Sequence, residues 1–140
     1  MGVRRLEELD CWRLAEEYKL EVYALVNRSV DAREDFHYKN QLQRSTASVG
    51  MNICEGFHRY GAKEFVRFLS IALGSLAESR QWLRDGISRR HFATSACAHA
   101  FALNTRCRMT TWKLLRSLQG FTPPGKGHSA RAPRRSTNSE

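Results

Sequence analysis

Only three prolines and nine glycines occur in 140 residues, which excludes collagen-like and proline-rich architectures. There is no C-x-x-C pair; Cys11, Cys54, Cys97 and Cys107 stand far apart. Zinc sites use tighter ligand pairs than Cys97, His99 and Cys107 offer, so reduced, buried thiols are expected. No segment approaches the ~20 consecutive apolar residues of a membrane helix. The longest stretch free of Lys, Arg, Asp and Glu, His91 to Thr105, spans 15 residues and holds Thr, Ser, His and Asn. The opening MGVRRLEELD has no apolar core of a secretory signal. A soluble, cytoplasmic chain without membrane contact is the expectation. Strand-like alternation, a P-loop and a nucleophile elbow are missing as well. No enzyme activity, metal or cofactor is therefore expected.

Acid is scarce where base is abundant. The chain carries 23 Lys and Arg against 14 Asp and Glu, net +9. Residues 1–35 hold nine acids and six bases, whereas the last 55 residues hold ten bases and one acid, Glu140. Eighteen of the 23 bases are Arg. Arg pairs with phosphate through two parallel N–H bonds and stacks on bases, which Lys does not. A polyanionic partner follows, set against the plainer reading of a solvated basic surface.

What is present is helical periodicity. Cys11, Leu14, Ala15, Tyr18, Val22, Leu25 and Val26 form one stripe from Asp10 onward. Trp12, Leu20 and Tyr23 lie off it and offer a second apolar edge. Asn27 to Arg33 reads as a connector. A second helix is expected from about Glu34 to Gly56, with Tyr38, Leu42, Ser45/Thr46, Val49 and Ile53 inward. Small residues around that stripe, Gly50 among them, favour a close neighbour. Gly56 to Gly61 has the chemistry of a turn. A third helix carries Phe65, Phe68, Leu69, Ala72, Leu76 and Leu83 and is expected to end at Asp85-Gly86. A fourth, starting between Ser88 and Phe92, carries Ala96, Ala100, Leu103, Cys107, Thr110, Leu114 and Leu118. A second row on it holds Phe101, Met109, Trp112 and Leu115. Gly120 and Pro123-Pro124 stop it. The pattern gives an all-α, antiparallel up-down-up-down four-helix bundle over residues 1–120. Residues 121–140 have the composition of a disordered basic tail.

The run from Gln41 to Phe57, QLQRSTASVGMNICEGF, resembles the "QLRRAAxSIPANIAEGF" motif of the small bacterial proteins encoded in 23S ribosomal RNA intervening sequences. Lys63-Glu64-Phe65 and the run from Phe68 to Glu78 are similar to that family's "KEFxxFLxIARGSLxE". Leu9, Trp12, Ala15, Val22 and Tyr23, then Glu34 and Phe36, fit the earlier part, so the resemblance spans roughly residues 6–85. Gly50 stands for the family's Pro, Cys54 for its Ala, Gln43 and Leu73 for two of its Arg. The resemblance implies a four-helix bundle assembled as a ring-shaped homopentamer. It also implies kinship with retroelement accessory proteins that bind a reverse transcriptase and nucleic acid.

Candidate site residues fall into three groups. Asn52, Glu55 and Gly56, with Gly74 and Glu78, are motif residues with a structural reading: Asn and Glu serve a helix junction, Gly the turn. Glu55 and Glu78 are candidates to pair with Arg44 or Arg59. Glu55-Gly56-Phe57-His58 reads Glu-x-x-His, yet a diiron bundle needs more carboxylates than the acid-free fourth helix supplies. Arg59, Lys63 and Arg67 follow at four-residue spacing, with Phe57 and Tyr60 as stacking aromatics. Together with Arg44, Arg84, Arg89, Arg90, Arg106 and Lys113 they are the nucleic-acid-binding candidates, RNA ahead of DNA. Trp12, Tyr23, Phe101, Met109 and Trp112 are the oligomer-interface candidates. The competing reading is a protein-interaction scaffold without nucleic-acid contact.

Overall fold

The computed structural model describes residues 2–120. The expected tail, 121–140, lies outside them. The helices are α1 (Asp10–Asn27), α2 (Val30–Glu34), α3 (Phe36–Phe57), α4 (Ala62–Ser88) and α5 (Ala98–Gln119). Short 3-10 turns at Leu6–Glu8 and Thr94–Cys97 precede α1 and α5. No strand occurs among the described residues.

Four long helices make a bundle in which α1 packs against α3 and α5, and α4 against the same two. The α3–α4 face is the most extensive. Neighbours run antiparallel. Gly56 late in α3 meets Phe65 and Phe68 early in α4, while Tyr38 early in α3 meets Trp82 late in α4. Asn104 of α5 reaches Leu76 of α4, and Cys107 of α5 reaches Cys11 of α1. All seven stripe residues of α1 are buried, as are Tyr38, Leu42, Ser45, Thr46, Val49 and Ile53 of α3. Each fully buried Leu, Ile or Val side chain contributes about 1.5–3 kcal/mol.

A polar layer crosses the middle of this core, one residue from each long helix. Tyr18, Thr46, Ser79 and Asn104 are all buried. The Tyr18 hydroxyl donates to Ser79 Oγ at 2.8 Å. Ser79 Oγ and Asn104 Nδ2 both donate to the Leu76 carbonyl, at 3.1 and 2.9 Å. Thr46 Oγ1 bonds its own helix at Leu42 O. Satisfied buried polar groups of this kind fix the axial register of packed helices. Burial also raises the thiols, Cys11 to about 11 and Cys107 to about 12.

The connections differ from the sequence expectation. The stretch read as a connector folds into α2, whose first turn is capped when Ser29 Oγ accepts from Ala32 N. Asp35 then caps α3 by accepting from Tyr38 N, so α3 begins at Phe36 rather than Glu34. Gly56 makes no turn. It is buried inside α3, where an added Cβ would sit 2.7 Å from Phe68 Cβ, so its small size sets the α3–α4 approach. The turn is at 58–61, closed by Gly61 with φ of 86°. Asp85-Gly86 does not end α4. Gly86 is buried in the helix beneath Tyr38 and Phe92. The helix stops through paired end bonds instead, His91 N to Gly86 O and Arg90 N to Ile87 O, with Arg90 left-handed at φ 64°. The chain is then extended at Ala93, so α5 starts at Ala98 and Ala96 is exposed. The inward row of α5 is Ala100, Leu103, Asn104, Cys107, Thr111 and Leu115.

Candidate nucleic-acid interface

The predicted cations separate into paired and unpaired groups. At the α3–α4 tip, Arg59 belongs to the turn and not to a helical row with Lys63 and Arg67. The Phe68 ring nevertheless gathers Arg59 and Arg67, whose guanidinium carbons lie 5.3 and 4.5 Å from its centroid. Each also has a carboxylate: Arg59 meets Glu55 at 2.7 Å, Arg67 meets Glu64 at 3.4 Å. Lys63 is exposed beside them. Of the expected stacking aromatics, Tyr60 is fully exposed, but Phe57 is packed against Phe65 and the core.

Of the motif residues Gly56 is buried and Asn52 half-buried, while Glu55, Gly74 and Glu78 are exposed. Glu55 takes Arg59, as one of the expected pairings has it. Asn52 serves no helix end; its Nδ2 donates to Ser48 O and Oγ within α3, and Ser48 joins Ser75 of α4. Arg44 and Glu78 line one polar groove between α3 and α4 without forming an ion pair. His58 Nδ1 turns to the Cys54 carbonyl, so Glu55 and His58 do not converge. Among the described residues no three His, Cys, Asp or Glu side chains converge as metal ligands.

At the opposite end Arg89 is neutralised twice, by Asp85 at 2.6 Å and Asp35 at 3.1 Å. Arg90 is exposed and held by its backbone role in ending α4. Asp35 also accepts from His91 Nε2 at 2.9 Å. That hydrogen bond, the Tyr38 amide and Arg89 hold the Asp35 carboxyl below its ordinary 3.8. The stabilisation is present above that ordinary value and is lost as pH falls through the depressed one. Asp35→Asn, which keeps a capping side chain, is expected to flatten the loss of stability on acidification. Urea midpoints at pH 5 and pH 2.5 should fall less for the variant than for the parent.

On α5 there is no acid at all, and among the described residues Arg106, Arg108 and Lys113 carry no ion pair. Arg106 and Lys113 line the groove toward α1, where Asp10 and Glu17 oppose them. On the α4 side no carboxylate lines the groove among the described residues. Arg80 reaches from α4 to Phe101 O and Thr105 Oγ1 at 3.5 Å and lies over the Phe101 ring. Arg84 is one turn further along the same face. Leu73, Arg108, Met109 and Trp112 border the groove, and Arg116 lies 5.8 Å from the Trp112 centroid. Arg84, Arg108 and Arg116 are exposed. The α4–α5 face thus carries four guanidinium groups, two of them over aromatic rings, and among the described residues no ion pair takes any of the four. Sequence spacing does not single out Arg108; its place four residues before Trp112 is the signal that would. Among the interface candidates, Trp12, Tyr23 and Phe101 are half-buried, whereas Met109 and Trp112 stay exposed at 54 and 49%.

A small all-α bundle with one arginine-lined, acid-free face is the class of protein these features define. The chain belongs to the 23S rRNA-intervening sequence protein family, whose model matches residues 7–107. A solved relative is a protein of unknown function from the S23 ribosomal protein family of Bacteroides thetaiotaomicron, determined at 1.70 Å. It superposes with a TM-score of 0.70 at 21% identity, covering 76% of this chain and 95% of that one. That likeness bears on the fold alone. No curated protein matches the chain.

Proposed function

We propose that this protein is a non-enzymatic nucleic-acid-binding bundle that contacts phosphates through its α4–α5 face. One observation carries the reading: among the described residues Arg80, Arg84, Arg108 and Arg116 form no ion pair, whereas Arg59, Arg67 and Arg89 are spent on carboxylates. RNA is preferred over DNA on the family's name. The ring of five implied by the sequence resemblance would repeat the face five times, and avidity would strengthen a weak single contact. For self-association the reading favours α1 and α3, which carry Leu20 at 63% and Met51 at 71% exposure, with Trp12 of α1 close to Gly50 of α3.

Fluorescence anisotropy across a salt series tests the reading. Four phosphate contacts give a log–log slope of about −3 on single strands and about −3.6 on duplex DNA. A flat response refutes it. The second reading, a protein-interaction scaffold, draws on the exposed Met109 and Trp112. It wins if the protein is a stable oligomer by light scattering and binds no nucleic acid at low salt.

A further inference from the structure

We propose, building on the phosphate-contact reading, that Trp112 is a stacking platform for an unpaired base, with Arg108 and Arg116 taking the flanking phosphates. The ligand class is single-stranded RNA, or the unpaired loop of a folded one. Of the three tryptophans, Trp12 and Trp82 are half-buried, and Trp82 packs edge-on against Tyr38. Trp112 is exposed, at 49%. Its ring borders a groove of about 460 Å³ whose other walls are Leu73, Met109 and Arg108. That volume falls within the ~300–1,000 Å³ range of small-ligand sites. The apolar walls suit the two faces and edge of a base, and the cations lie at the rim where phosphates would pass. Arg116 lies over one face of the ring, 5.8 Å from its centroid, so a base stacking on the other face has a counter-charge close by.

Charge chooses the occupant. The lining holds an arginine and no acid, and α5 carries no acid along its whole length. A duplex keeps its base faces stacked inside, and the A-form major groove is too narrow for side chains to enter. An exposed indole therefore gains nothing from a duplex beyond what the arginines gain. A single strand offers a free π-face at every nucleotide, so stacking adds affinity with little dependence on sequence. The rival cover is a second copy of this chain, bringing an acidic α1 onto this face.

The test compares a 12-nucleotide oligo(U) with a blunt RNA duplex of equal length, using the full chain, Trp112→Leu and Trp112→Phe. Light scattering follows the mass of each. Trp112→Leu is expected to lose about tenfold on oligo(U) and under twofold on the duplex, with Trp112→Phe in between. Oligo(U) should quench the parent's tryptophan emission and leave that of Trp112→Leu unchanged. Equal losses on both RNAs, or no loss on either, overturn the stacking role while the phosphate reading stands. A lower mass for Trp112→Leu assigns the residue to assembly and likewise overturns it. If the parent binds neither RNA at low salt, the phosphate reading falls first.

Discussion

Gly86→Val is expected to lower the melting temperature by about 12 °C. An added Cβ at Gly86 would sit 2.7 and 2.8 Å from Phe92 ring carbons and closer still to the Tyr38 hydroxyl. Neither ring can yield. Tyr38 is fully buried, donates to Trp82 O at 2.6 Å and packs against Trp82, His91 and Phe92. Phe92 closes the end of the core where α4 stops. Relief would require parting α3 from α4 across their largest shared face. Overpacking of this kind costs about 3 kcal/mol, and each kcal/mol moves the midpoint of a domain this size by about 4 °C. Gly74→Ala is the contrast. Nothing lies within 4 Å of a Cβ there, and the site is exposed mid-helix, so the change should stabilise by up to ~1 kcal/mol. Calorimetry on both variants decides the matter. A Gly86→Val midpoint within 2 °C of the parent would mean that the α3–α4 packing is looser than the geometry requires.

The same glycine marks where sequence reasoning stops short. Long apolar stripes are read well because the 3.6-residue period is a local property; all seven α1 positions and the α3 row are buried as the spacing predicts. Helix ends are read poorly because they depend on partners far along the chain. Asp85-Gly86 has the composition of a stop, yet Tyr38, 48 positions earlier, makes Gly86 a packing residue. The real stop uses Arg90 in a conformation that glycine usually supplies. On α5 the apolar pattern drifts to Thr110, Leu114 and Leu118 because it skips the buried polar residues Asn104 and Thr111. Their burial is explained by Leu76 O and by Cys107 Sγ at 3.9 Å from Thr111 Oγ1, neither of which periodicity reveals. The candidate site divides along similar lines. Residue type identifies arginine as the chemistry, and only three-dimensional pairing separates neutralised guanidinium groups from free ones.

That separation gives the second large expected effect. The triple variant Arg84→Gln, Arg108→Gln, Arg116→Gln should lose about 100-fold in affinity for a single-stranded RNA at 0.1 M salt. Three phosphate contacts contribute about 0.7 each to the log–log slope, so the slope should fall by about 2. The matched control is Arg59→Gln, Arg67→Gln, Arg89→Gln. Both triples lower the net charge by three, so the long-range field of the molecule changes equally. They differ in what each guanidinium is already doing. Arg59, Arg67 and Arg89 hold Glu55, Glu64 and the Asp35–Asp85 pair, and engaging phosphate would mean abandoning those carboxylates. Among the described residues Arg84 and Arg108 have no ion-pair partner to give up, and Arg116 gives up only its contact with the Trp112 ring. The control should therefore bind within about threefold of the parent with its slope nearly unchanged. Equal losses in both triples would show diffuse attraction to a basic protein and would remove the α4–α5 face as a site. A large loss confined to the control would move the site to the α3–α4 tip, where Tyr60 stands fully exposed beside Arg59.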